Sequence, residues 1–96
     1  MNCCEEKKTE RSEEDKKILI SRINRIEGQM RGIASMIEND RYCDDVLIQL
    51  SAIDKSIKSL ANVLLEKHMK SCVKDNLLNG NDKVLDEIVD LFKRFQ

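Results

Sequence analysis

The chain is 96 residues long, enough for one domain, with 36% charged residues, three Gly, no Pro and a formal net charge of −1. Few aromatics and no Trp leave a core of Leu, Ile, Val and Met, and this composition fits an all-α bundle and argues against a sheet-rich fold. The opening Met1-Asn2-Cys3-Cys4-Glu5-Glu6 carries no apolar run, so neither a signal peptide nor a membrane span is expected, and a cytoplasmic chain with four cysteines points to metal or redox chemistry over structural disulfides.

Residues 1–11 are polar and rich in Glu and Lys and read as a mobile acidic tail, followed by one all-helical domain over 12–96. Cys3 and Cys4 read first as exposed thiols, and second as accessory metal or redox groups. Ser12 followed by Glu13, Glu14 and Asp15 is a helix start, a hydroxyl cap with acid in the first turn. From there Leu19, Ile23, Ile26, Met30, Ile33 and Ile37 hold a heptad-like spacing to Asn39, which predicts a first helix packed along a second through a short Asn39-Asp40 turn. Arg22, Arg25 and Gln29 share one flank of that helix, Gly28 and Gly32 border it, and Arg31 points the other way. Two glycines inside a helix cost about 1 kcal/mol each relative to Ala, so a close backbone approach is expected there.

The next stretch, Arg41 to Asn79, contains neither Gly nor Pro and predicts one unbroken helix. Asp40 is the expected N-cap, Asp44 and Asp45 suit the positive end of the helix dipole, and Asn79-Gly80 is the stop. Val46, Leu50, Ile53, Ile57, Leu60 and Leu64 form an apolar stripe that His68 and Cys72 continue. His68 and Cys72 are four apart and so lie one turn apart on one face. Cys43 falls within roughly 20° of both around the helix axis, yet roughly 37 Å away along it at the standard rise. An antiparallel second copy, crossing near Ser56 and Ile57, brings Cys43 of one chain beside His68 and Cys72 of the other, so a twofold dimer builds two identical three-ligand sites. A helix of this length, about 58 Å, also exceeds the roughly 30–35 Å expected for a compact domain of this size and needs a partner for its stripe. Each ligand taken alone is more often a core residue; the His–Cys pair and the in-phase Cys43 together favour a site. Two thiolates and one imidazole suit Cu(I) better than structural Zn, which prefers four ligands.

Residues 82–95 predict a short amphipathic helix, with Val84, Leu85, Ile88, Leu91, Phe92 and Phe95 on one face, and Glu87 near the ligand cluster if this helix folds back. No phosphate-binding loop, dinucleotide fingerprint or catalytic triad pattern is present, and with one His and no nucleophile–base pairing an enzyme is not expected. Charge is uneven: residues 16–37 carry five cations against Glu27, and residues 46–74 carry five Lys against Asp54 and Glu66. Such faces are commonly just solvated, but an oligomer multiplies them and can span DNA phosphates despite a neutral total.

The runs Arg22-Ile-Asn-Arg-Ile-Glu-Gly-Gln-Met-Arg-Gly-Ile33, Asp40-Arg-Tyr-Cys-Asp-Asp-Val46, Ser51-Ala-Ile53 and His68-Met-Lys-Ser-Cys-Val73 together resemble the copper-sensing operon repressor (CsoR) family, over residues 16–95. The resemblance implies an all-α DNA-binding repressor with three helices per chain, a dimer that pairs into a homotetramer, and Cu(I) bound between subunits to release operator double-stranded DNA. It places the metal ligands on Cys43, His68 and Cys72, and the residues behind them on Tyr42 and, across a turn one residue shorter than the family's, Glu87. The family's DNA-contacting arginines fall on Arg22 and its neighbours Arg25 and Arg31. Asn62 stands where the family often carries a basic residue, which makes Lys55 and Lys58 the candidates in the second helix.

Relatives with this fold sense nickel or cobalt, formaldehyde, or reactive sulfur. Nickel and cobalt sensors are richer in His, and this chain has only His68. The alternatives that stay open are a thiol-modification sensor, for persulfide or formaldehyde, and a ligand-free helical assembly module.

Overall fold

A computed structural model describes residues 10–95 apart from the side chain of Cys72; the expectations for Cys3, Cys4 and most of the 1–11 tail lie outside the described residues. There are three helical runs and, among the described residues, no strand: α1 (Glu13–Glu38); a second run of α2 (Cys43–His68), a π turn (Met69–Val73) and α3 (Lys74–Leu78); and α4 (Lys83–Arg94). The chain divides into two compact units, one of Ser12–Leu60 and one that contains Ala61–Gln96.

In the Ser12–Leu60 unit, α1 starts as the sequence indicates. The Ser12 hydroxyl accepts a hydrogen bond from the Asp15 backbone N–H at 3.1 Å, with Glu13, Glu14 and Asp15 in the first turn. Its end differs from expectation. Asp40 is not the cap of the next helix but the left-handed residue that closes this one, at φ 53°. Its N–H donates to the Ile37 carbonyl at 3.2 Å, and the Arg41 N–H reaches the Met36 carbonyl at 2.9 Å, the paired bonds of a Schellman turn. Asp tolerates this conformation better than most residues. The carbonyl of Tyr42 then accepts from Asp45 and Val46, so α2 begins two residues later than the sequence suggested.

The heptad seam of α1 also divides. Leu19 and Ile33 are buried inside the unit with Ile53 of α2, whereas Ile23, Met30 and Ile37, interleaved with them, are exposed. Leu50 and Ile57 of α2 are exposed too. One half of the seam closes within the chain and the other half stays open.

In the second unit the long run is not regular. Met69–Val73 is a π turn, in which the Lys74 N–H reaches back five residues to the Met69 carbonyl. The Ser71 hydroxyl donates to the Lys67 carbonyl at 2.9 Å, competing for an acceptor that a regular helix gives to the backbone. Beyond it, α3 ends in a second Schellman turn. Gly80 at φ 82° donates to Leu77 at 3.1 Å, and the Asn81 N–H donates to the Asn76 carbonyl at 2.8 Å. The Asn79-Gly80 stop is where the sequence put it. The core of this unit gathers Leu65, Val73, Val84 and Ile88, with Leu91 packed against them. Helix α4 therefore has two apolar sides, not one: Val84, Ile88 and Leu91 face inward, while Leu85, Val89 and Phe92 are exposed.

Candidate metal centre and nucleic-acid interface

The soft-metal donors sit at element boundaries. Cys43 is the first residue of α2 and a free, exposed thiol; Tyr42, just before it, is 69% exposed. His68 is the last residue of α2 and half-buried, and Cys72 lies in the π turn that follows. His68 thus directly precedes, and Cys72 lies within, the one break in regular helical geometry within residues 43–78. Single-turn π segments mark functional positions often enough to make this placement informative. Glu87 is exposed on α4. Among the described residues no three His, Cys, Asp or Glu side chains of one chain gather as a metal site. The donor set itself, two thiols and an imidazole, suits a soft monovalent ion.

A second feature lies wholly within the Ser12–Leu60 unit. A groove of about 630 Å³ runs between α1 and α2, lined by Lys17, Arg22 and Arg25 from the first and Lys55 from the second, with Ser21, Ser56 and Ser59 between them. No carboxylate lines it. The Arg22 guanidinium donates to the Ser59 hydroxyl at 3.5 Å, a long contact that ties the two helices across the groove. Four cations without an acid among them form a concave anionic-ligand surface.

The five basic residues singled out from the sequence therefore separate. Arg22, Arg25 and Lys55 share the groove. Arg31 is paired with Glu27 one turn away on its own helix, and Lys58 with Asp54 at 3.1 Å, and neither lines it. Lys17, Ser21 and Ser59 are among the groove residues that the sequence reading did not select. Lys17, Ser21 and Arg25 recur at four-residue steps, and that shared face was the available signal. The close backbone approach expected at Gly28 and Gly32 is not made among the described residues: a Cβ built on either meets nothing within 4 Å. Their α1 face is open.

A family model described as metal-sensitive transcriptional repressor matches residues 15–94. The chain is 44% identical to the copper-sensing transcriptional repressor CsoR of Bacillus subtilis (strain 168) over 86 residues, 88% of this chain and 85% of that protein. The copper-sensing repressor CsoR of Geobacillus thermodenitrificans NG80-2, solved by crystallography with Cu(I), superposes with a TM-score of 0.84 at 38% identity, covering 91% of this chain and 92% of that one. The nickel-responsive transcriptional regulator InrS superposes with a TM-score of 0.71 at 30% identity, covering 92% and 97%. Match length, identity and fold agree, and the chain belongs to the family of metal-sensitive transcriptional repressors.

Proposed function

We propose that this protein is a Cu(I)-responsive repressor that binds operator double-stranded DNA without metal and releases it when Cu(I) binds, controlling copper-resistance or efflux genes. The observation that carries the reading is the placement of the donors. Cys43 opens α2 and His68 closes it, with Cys72 one turn beyond, in a chain whose similar relatives include copper-sensing repressors. Donors at opposite ends of one helix are brought together by an antiparallel second copy, so each site takes Cys43 from one chain and His68 with Cys72 from its partner. The exposed half-seam of Ile23, Met30, Ile37, Leu50 and Ile57 supports that dimer: each is already partly covered within the chain, so closing it gains roughly half of the about 1.5–3 kcal/mol that full burial of such a side chain is worth. A pairing of dimers into a homotetramer is part of the same proposal.

Cys43 of one chain and His68 with Cys72 of its partner would hold Cu(I), which would supply a coordination link between the two chains. Tyr42, adjacent to Cys43, or Glu87 of α4 is the group we assign to the second ring nitrogen of His68, accepting its N–H and fixing which nitrogen faces the metal. The groove cations Arg22, Arg25 and Lys55 contact DNA phosphates, with Arg31 and Lys58, each held in an ion pair, as outlying contacts. Only an ion that binds the low-affinity DNA state more tightly than the high-affinity one can release the operator. Binding of operator DNA places the protein in the cytoplasm, and among the described residues no helix is long and apolar enough to cross a membrane.

The nickel-responsive relative makes Ni(II) the second effector to test, but a single His against two thiols favours the softer ion. Gel shifts of reduced protein on DNA from its own upstream region test the reading. Retardation without metal, lost with one Cu(I) per chain and kept with Ni(II), is expected. Retardation indifferent to Cu(I) contradicts it.

A further inference from the structure

The pivot of this inference is Asn76, the one buried polar side chain among the described residues, at 2% exposure. A primary amide is costly to bury without partners, so its bonds are structural commitments. Its Oδ1 accepts from the Asn81 Nδ2 at 2.9 Å, and its backbone carbonyl accepts from the Asn81 N–H at 2.8 Å. These two residues occupy the positions of a Schellman turn that an apolar contact commonly fills. The corresponding pair at the end of α1 is Met36 and Arg41, joined through the backbone. An apolar pair tolerates sliding, whereas an amide pair is satisfied at one geometry only.

Its position gives that rigidity a use. Asn76 lies three residues beyond the π turn that brackets Cys72, and Asn81 lies two residues before α4. Val73, the last residue of the π turn, shares an apolar cluster with Val84 and Ile88 of α4. A π turn holds one residue more than an α turn, and resolving it into regular helix rotates everything downstream by about 100°. The loop 79–82, with Gly80 at φ 82°, is the obvious place for such a rotation to be absorbed.

We infer that Asn76 is a positioning residue of the metal switch: through Asn81 it locks the helix leaving the His68–Cys72 turn to α4, so that a change at that turn moves α4 as one body with α3. This rests on the copper-responsive reading above.

The test uses the full reduced chain and two measurements: Cu(I) affinity by competition with a Cu(I) chelator, and operator affinity with and without saturating Cu(I). Asn81→Ala removes the partner at an exposed position, and Asn76→Leu replaces the buried amide at similar volume. Both are expected to keep Cu(I) and metal-free operator affinity within about threefold of the parent, while the ratio of operator affinities with and without Cu(I) collapses by about tenfold or more, a sizeable part of a typical allosteric coupling. An unchanged ratio in Asn81→Ala overturns the inference. So does a ratio that falls only in step with Cu(I) affinity, because Asn76 then merely supports the site. A parent without any ratio overturns the copper-responsive reading and this inference with it, a result distinct from a responsive parent with an equally responsive variant.

Discussion

The two compact units of the chain solve the problem of burial differently. The Ala61–Gln96 unit gathers Leu65, Val73, Val84 and Ile88 into one buried cluster and pairs its buried amide within the unit, while Leu78, Leu85, Val89 and Phe92 stay exposed. The Ser12–Leu60 unit buries Leu19, Ile33 and Ile53, leaves Ile23, Met30, Ile37, Leu50 and Ile57 exposed, and carries an acid-free basic groove. The difference supports the division of labour proposed above: in the first unit an open apolar side for a second chain and a basic side for DNA, in the second the turn proposed to sense metal.

The largest effect that sharpens this comparison concerns the metal donors. Cys43→Ser is expected to lower Cu(I) affinity by about 100-fold or more, roughly 2.7 kcal/mol, because it removes the donor that joins two chains. His68→Ala keeps two thiolates, binds Cu(I) more weakly, and loses most of the DNA release at saturation. Chelator competition and operator anisotropy separate the two; full release by the His68 variant contradicts the proposed coupling through the imidazole.

Core substitutions come next and address burial directly. Ile88→Ala, within the buried cluster of the Ala61–Gln96 unit, is expected to destabilise the fold by about 2–5 kcal/mol. Ile37→Glu, on the open half-seam, is expected to act mainly on association, so its unfolding midpoint depends steeply on protein concentration. Urea unfolding at two concentrations, with sedimentation, checks both. A stable helical Ile37→Glu monomer breaks the claim that the first unit needs a second chain.

On the basic side, Arg22→Ala and Arg25→Ala are each expected to weaken operator binding by about tenfold and to flatten its salt dependence, since lost phosphate contacts release fewer counterions. Arg31→Ala and Lys58→Ala should cost less, because each is already engaged by an acid on its own helix. Cu(I) binding should not change in any of the four. Equal losses at all four positions would mean that the groove is not the contact surface.

The smallest effect is one of pH. Glu66 lies in the turn before the π segment, and its hydrogen bond and charge attraction to Lys70, 2.9 Å away, hold its carboxyl below the ordinary range. A depressed carboxyl contributes stability above its unfolded pKa, and that contribution is lost as pH falls through the folded value. Glu66→Gln should therefore be slightly less stable than the parent at neutral pH and equal to it once both carboxyl states are protonated. Thermal unfolding across that range measures the difference, which solvent exposure keeps small.

Much of this was written in local sequence. Ser12 with three acids after it, and Asn79-Gly80 after a long Gly-free run, mark helix ends because capping chemistry is local. The Arg22/Arg25 flank followed from helical spacing alone. The π turn did not, because nothing in the spacing of Met69–Val73 tells whether Lys74 reaches back four residues or five. Asp40 misled for a related reason: a short acid suits both an N-cap and a left-handed helix end, and only the Tyr42 carbonyl shows which was taken. The seam looked single since Leu19/Ile33 and Ile23/Met30/Ile37 share one apolar stripe, and which of them turns inward is a packing outcome. Nothing in the local sequence sets Asn76 apart from other polar helix residues; only the fold brings Asn81 back onto it.

The central claim is that each metal site is built from two chains, and a mixing experiment tests it most directly. Cys43→Ser chains lack one donor and Cys72→Ser chains lack another, so neither homodimer holds a complete site. Unfolding and refolding an equal mixture forms heterodimers in which one site regains Cys43 from one chain with His68 and Cys72 from the other, while the second site loses both cysteines. The account predicts that purified heterodimer binds one Cu(I) per two chains with the affinity of the parent. Heterodimer that binds no more tightly than either variant alone would contradict it.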